Sequence, residues 1–333
     1  MHSRRTFLRM AATSAPGWAV LASSAAADSR ATAKASAGAS AEASAGATAS
    51  TEATSGARNN DNGGVRLGVQ TYSFREWLRK PGDMTDKIIA AMRQLGISEC
   101  EMWEPSLQPA QLWPSSDEAY RQGVRKWRLG SGLDDIKAHA AKLTAAGIRV
   151  FAFNFGLDDQ CTDEEINRGI EMTHALGAKV MTVSTTLTMA KRSVPFFEKS
   201  GLLLALHGHS NVSDPNQFAT PASFTAGLAL SRWYRVNLDI GHFTAGGFDA
   251  VEFIKTHHDR ITNLHIKDRK RNDGPNVPFG QGDTPITAVL QLLKREHYPI
   301  PAYIEYEYTR NGTATEEVAK CLAYARAALA ASR

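Results

Sequence analysis

Between Arg66 and Glu307 the chain repeats one pattern eight times, a short apolar run followed by a stretch with helical spacing. The runs are RLGVQTY, SECEMW, RVFAFNF, AKVMTVST, LLLALH, RVNLDI, RITNLHIK and AYIEYE. Their β-branched and aromatic residues favour strands. No two runs are adjacent, so each strand is followed by a crossover and its neighbour runs parallel. The helical stretches include DMTDKIIAAMRQLG, Asp117 to Trp127, GLDDIKAHAAKLTAAG, TDEEINRGIEMTHALG, Met189 to Lys199, FDAVEFIKTHH, Thr284 to Arg295 and Ala314 to Ala331. A further loop and helix fall between Pro215 and Leu230. Thr162 followed by two acids opens one helix and Gly177 closes it. Eight such units in roughly 250 residues fit a closed α/β barrel, the (β/α)8 TIM barrel, better than an open doubly wound sheet. After Gly68 the chain reads Val-Gln-Thr-Tyr-Ser, so the first turn lacks the glycine fingerprint of a dinucleotide site.

The N-terminal part follows other rules. Ser3-Arg4-Arg5-Thr6-Phe7-Leu8-Arg9 is a twin-arginine pattern, and Ala25-Ala26-Ala27 offers a small-residue cleavage site. Residues 1–27 therefore read as a signal peptide, exporting the protein by the twin-arginine route to the periplasm or the exterior. The apolar stretch is broken by Pro16 and Gly17 and is too short to span a bilayer, so no stable membrane insertion is expected. Residues 28–64 are Ala, Ser, Thr and Gly with few apolar anchors, and read as a disordered linker. Residues 65–333 form the barrel. The whole chain carries +4; residues 1–27 hold +3 of it and residues 28–64 hold −1, which leaves +2 on the barrel. That balance gives no electrostatic footprint for nucleic acid. Cys100, Cys161 and Cys321 make an odd set without C-x-x-C spacing and read as buried thiols, with one disulfide left open. Nothing in the sequence specifies an oligomeric state.

Four polar residues end successive apolar runs in the second half: His207, Asp239, His265 and Glu305. They lie 32, 26 and 40 residues apart, about one strand-plus-helix unit each. Two imidazoles and two carboxylates arriving so would meet at the C-terminal mouth of the barrel as one divalent-metal site. Strand alternation puts Asn237 with Asp239, His265 with Lys267, and Glu305 with Glu307 on common faces. Three polar faces at consecutive strand ends call for a polar cavity. Without thiolates, an N2O2 set suits Zn, Mn, Co or Fe rather than copper. Glu101 and Asn154, at the ends of the second and third strands, are expected to line the mouth. His242 is expected to contact a substrate, and Trp103, Trp113 and Trp127 flank the long second loop, where they stack on a bound ring or pack the loop.

VNLDIGH, LHIKDRK, PFGQGDTPI and YIEYEY, with GVQTYSF and CEMWEP near the start, resemble the xylose isomerase-like barrel superfamily of sugar phosphate isomerases and epimerases. The resemblance covers about residues 66 to 330. It implies a divalent ion (Mn, Co, Mg or Zn) held by one ligand from each of strands five to eight: His207, Asp239, His265 and Glu305. The sequence departs from the pattern at strand five, where the epimerases carry Glu and this chain has His207, followed by His209. Epimerases with two bases use the carboxylates of strands five and eight, so the departure breaks that pair. H-x-K-D resembles inosose dehydratases, and an exported barrel with His at strand five resembles proteins acting on 3-keto-glycosides by elimination and hydration.

The expected function is abstraction of a proton beside a carbohydrate ketone, with elimination or hydration on a 3-keto-glycoside. Lys267 and His209 are the first candidates for the base and Glu307 stands behind them, while His242 is placed to donate a proton. Lys267 would need a pKa lowered by the dication. The alternatives are a ketose 3-epimerase or aldose–ketose isomerase, an endonuclease IV-like nuclease, and a non-catalytic sugar-binding subunit.

Overall fold

The computed structural model describes residues 62–80, 82–108, 112, 117–130, 132–309 and 312–331. The signal peptide, all but the last three linker residues, and Trp113 lie outside the described residues.

Eight parallel strands close into a barrel in sequence order, β8 pairing back onto β1. They are β1 (Leu67–Gln70), β2 (Glu99–Trp103), β3 (Arg149–Asn154), β4 (Val180–Val183), β5 (Leu203–His207), β6 (Tyr234–Asp239), β7 (Ile261–Ile266) and β8 (Ala302–Ile304). Around them lie α1 (Met84–Leu95), α2 (Glu118–Gly130), α3 (Leu133–Ala145), α4 (Asp163–Ala175), α5 (Leu187–Ser200), α6 (Pro221–Leu228), α7 (Ile240–Ala245), α8 (Ala250–His257), α9 (Ile286–Arg295) and α10 (Ala314–Ala330). Local signals set the helix ends. Thr162 and Thr313 form capping boxes with Glu165 and Glu316, and Gly96 closes α1 at φ 64°.

Alternation along each strand divides the molecule into two regions. Cys100, Met102, Phe153, Met181, Val183, Leu204, Leu206, Val236, Leu238, Leu264 and Ile266 join the apolar layer under the helices. Their alternate neighbours face the barrel interior. Ala152, Val180 and Ala205, with Phe151 and Leu203, form an apolar cluster of their own. Above it the interior is polar: Glu101, Thr182, Asn237 and Asn263 are fully buried. Such groups are tolerated only when hydrogen-bonded; here Thr182 and Asn263 donate to Glu101, and Asn237 accepts from His207.

Two features depart from the sequence reading. The sequence reading placed no helix directly after β6; the chain enters α7 there, capped by Asp239, whose side chain accepts the His242 N–H. A side chain at Gly241 would meet the Lys267 carbonyl oxygen at 2.7 Å, so glycine lets α7 lie against the end of β7. β8 also stops at Ile304, leaving Glu305 and Glu307 just beyond the strand, with the Glu305 N–H still bonded to Ile266 O. The three cysteines are buried thiols, none of them in a disulfide.

Candidate metal centre at the mouth of the barrel

His207 and Asp239 are the last residues of β5 and β6, His265 lies in β7, and Glu305 follows β8; none is more than 2% exposed. One ligand atom from each of His207, Asp239 and His265 falls within 4.8 Å of the others. Glu305 Oε2 is 3.3 Å from His265 Nδ1.

The protein engages one side of three of these groups. His207 Nδ1 donates to Asn237 Oδ1 at 2.6 Å, which puts the ring's lone pair on Nε2. His265 Nε2 donates to Glu101 Oε2 at 2.9 Å, which turns Nδ1 inward. Asp239 Oδ1 accepts the backbone N–H of His242 at 2.7 Å, leaving Oδ2. Asp239 Oδ2, His265 Nδ1 and Glu305 Oε2 are buried and make ion-pair contacts without hydrogen-bond geometry. Two nitrogens and two carboxylates, oriented by outer partners, fit a small divalent cation of the Zn, Mn, Co or Fe type.

Without an ion, protein cations balance the carboxylates. Burial works against charge on His265, but Glu101 and Glu305 outweigh it and raise its pKa to about 10. Burial also works against charge on Lys267, yet Asp239, Glu305 and Glu307, at 3.2, 2.8 and 2.5 Å, hold it above the usual lysine value. Glu305 is held well below the carboxylate range by Lys267 and His265 against its burial. Asp239 is raised to about 6, chiefly by burial, and is still ionised at neutral pH. His207 is lowered to about 4, chiefly by burial, and is neutral.

This changes the role of Lys267. The sequence reading gave it a lowered pKa and a base's work; the structure makes it an ammonium clasped by three carboxylates. An ion held by Asp239 and Glu305 would still leave it Glu307.

His209 and His242 form a second, overlapping group with His207, again with ligand atoms within 4.8 Å. It lacks a carboxylate, and both His242 ring nitrogens face cations: Arg269 Nη1 at 2.7 Å and Lys267 Nζ at 3.3 Å. That setting opposes a dication, so the centre belongs to the first group. His209 is half-buried, its Nε2 3.4 Å from Ser184 Oγ, and burial with His207 and Lys267 holds it well below the usual histidine value.

Glu101 does not reach the mouth. It is fully buried and accepts from Gln70, Thr182, Asn263 and His265 at 2.6–2.9 Å, so it orients a ligand rather than touching substrate. Asn154 donates to Thr182 and is 6% exposed. Trp103 packs edge-on against Tyr72, ring centroids 4.8 Å apart, and Trp127 is buried in the main core. Glu307 is half-buried and meets Tyr72 Oη at 3.4 Å and Asn276 Nδ2 at 3.3 Å.

The sequence reading missed Asn237 as the partner of His207, and it missed Tyr72, Asn276 and Arg269. Asn237 alone carried a signal, sharing a strand face with Asp239. It also missed what joins H-x-K-D to PFGQGDTPI. The Asp268 carboxylate accepts backbone N–H groups of Gly280, Gly282 and Thr284 at 2.8, 2.9 and 3.3 Å. A side chain at Gly282 would collide with that carboxylate. The two motifs form one clamp, fixing the loop after β7.

Residues 89–325 match the family described as the xylose isomerase-like TIM barrel. Among curated proteins the chain is similar to L-ribulose-5-phosphate 3-epimerase UlaE of Salmonella paratyphi A, 30% identical over 98 residues, 29% of this chain and 34% of that one. It thus spans about a third of the length of the curated relatives it matches. Among solved structures it is similar to 3-keto-D-glucoside 4-epimerase YcjR of E. coli, with TM-score 0.57, 15% identity, and 79% and 99% of the two chains covered. It is also similar to the probable 3-DHS dehydratase AsbF of Bacillus anthracis, with TM-score 0.56, 15% identity, and 78% and 99% covered. At these identities the structural likenesses establish the fold alone. The family match runs through seven of the eight strands, and the chain belongs to the xylose isomerase-like TIM barrel family.

Proposed function

We propose that the protein is a divalent-metal-dependent enzyme that removes a proton beside a carbohydrate ketone and, on a 3-keto-glycoside, expels the β-oxygen substituent. The carrying observation is the convergence of His207, Asp239, His265 and Glu305 at one mouth, with Asn237, Glu101 and the His242 N–H orienting three of them. The names of the relatives support carbohydrate and dehydration chemistry. Among the described residues the two groups of donor atoms overlap at His207, which favours a single ion over the several zinc ions of a nuclease.

A divalent ion held here would polarise a ketone oxygen and acidify the neighbouring C–H. The chain's own groups handle the proton. Lys267 stays an ammonium and offsets negative charge developing on oxygen. His209, neutral at the mouth, takes the α-proton on a ring nitrogen. The C–H electron pair becomes the new C=C bond as the bond to the β-oxygen breaks. The imidazolium of His209 then returns its proton to the departing oxygen, so an enone and a free aglycone leave an unchanged protein. Hydration runs the same steps backwards with water. His207 in place of a fifth-strand carboxylate supports elimination over two-base epimerisation.

The name of the curated relative favours a second reading, ketose 3-epimerase or aldose–ketose isomerase. The test is to incubate metal-loaded protein in D2O with 3-keto-glucosides and with free ketohexoses. Aglycone release with α-proton exchange is expected, abolished in His209→Asn and slowed but retained in Lys267→Met. Faster interconversion of free ketohexoses than cleavage of any 3-keto-glycoside hands the site to the epimerase reading, and turnover of neither leaves a sugar-binding subunit.

A further inference from the structure

Arg269 is 7% exposed, and all five of its N–H donors have acceptors. Nε and Nη2 donate to Gly274 O at 3.0 and 2.6 Å, and Nη2 also to Asp273 Oδ1 at 3.2 Å. Nη1 faces Ser210 Oγ at 2.8 Å and His242 Nδ1 at 2.7 Å. A guanidinium keeps its protons in proteins and accepts nothing. The contact with His242 therefore has one direction: Arg269 donates and Nδ1 accepts. An imidazole with its lone pair on Nδ1 carries its proton on Nε2.

Nε2 is the nitrogen on the metal-centre side, 3.9 Å from Asp239 Oδ2 and 3.3 Å from Lys267 Nζ. Lys267 does not reverse the assignment. Its ammonium stands 3.3 Å from Nε2, farther than Arg269 stands from Nδ1 at 2.7 Å, and lies nearest Glu307 at 2.5 Å. A second ring proton is excluded as well, because Nδ1–H would point at a guanidinium donor.

We infer that Arg269 is a positioning residue that locks His242 as its neutral Nε2–H tautomer, so that His242 offers a hydrogen bond toward the centre and keeps its proton. Loss of that proton would leave an imidazolate, which makes the ring a poor acid and a good fixed donor. This revises the proton-donor role expected of His242 and removes its Nε2 from any three-imidazole ligand set. A neutral imidazole so placed stabilises charge on a substrate oxygen. That consequence rests on the ketone chemistry proposed above; the tautomer rests on the geometry.

The test uses full-length protein labelled with 15N-histidine, metal-free and zinc-loaded, with long-range 1H–15N correlations reporting which ring nitrogen is protonated. The His242 signals are assigned by their loss in His242→Gln. The wild type is expected to show Nε2 protonated and Nδ1 bare in both states. Arg269→Gln, whose amide can donate or accept, should shift the signals toward the Nδ1–H form, and Arg269→Lys should hold the wild-type pattern. Wild-type Nδ1–H, a doubly protonated ring, zinc on Nε2, or an unshifted Arg269→Gln spectrum each overturns the inference. The wild-type spectrum decides alone if the variants do not fold. Since it reads nuclei rather than turnover, absence of ketone chemistry would sink the proposed function and leave the tautomer standing.

Discussion

At the scale of single residues, the centre is made by partners rather than by ligands alone. His207 and His265 become useful donors because Asn237 and Glu101 fix which nitrogen faces the centre. Asp239→Ala and His265→Ala should each lose the metal while folding, as metal analysis with circular dichroism will show; full occupancy in both refutes the centre. His207→Glu should keep the metal and change the reaction. Glu101→Gln is the finer variant. It retains the ligands but weakens the acceptor that holds His265, and such outer partners cost about 10–100-fold in metal affinity. A chelator-competition titration measures the change, and an unaltered affinity would mean that the barrel holds His265 without Glu101.

At the scale of elements, the loops after β2 and β3 are joined by one buried arginine. Arg128 of α2 bonds Glu104 through two nitrogens at 2.8 and 2.7 Å, reaches Glu165 of α4 at 3.0 Å, and lies 4.1 Å from the Phe155 ring centroid. Removing one partner of a buried ion pair strands the others, which costs about 3–5 kcal/mol. Arg128→Ala should lower unfolding stability by that amount in urea denaturation. An effect within about 0.5 kcal/mol, typical of surface positions, would show that the loops hold without it.

At the scale of the whole molecule, charge inside the mouth couples metal, proton and fold. His265 has a pKa of about 10 in the metal-free protein, against an ordinary value of 6.5. Its contribution to stability is therefore complete below pH 6.5 and is lost as pH rises through 10. A metal held by His265 would need the neutral ring, so the ion would displace that proton. Metal affinity should rise with pH up to about 10, and calorimetry in buffers of different ionisation enthalpy should register proton release. A pH-independent affinity between 6.5 and 9 would contradict the assignment. Export is a separate matter at this scale: changing Arg4 and Arg5 both to Lys should leave uncleaved precursor in the cytoplasm, and normal export of that variant ends the twin-arginine reading.

The sequence by itself determined the barrel, because eight β-prone runs with helical crossovers leave a parallel closed sheet as the economical arrangement. It also determined the four candidate ligands, because a residue at a strand's C-terminal end has its position fixed by the barrel. Local pattern ran out where long-range partners decide the chemistry. Glu101 lies 164 residues from His265, and its burial depends on closure of the barrel. Lys267 read as a base from its spacing, yet three carboxylates from two other strand ends make it a cation. Arg269 carried no signal in the sequence; the Asp268 clamp and α7 set its guanidinium against His242. A side chain's place along a strand follows from its neighbours in sequence; its protonation follows from the charges around it, and only the tertiary structure brings those together.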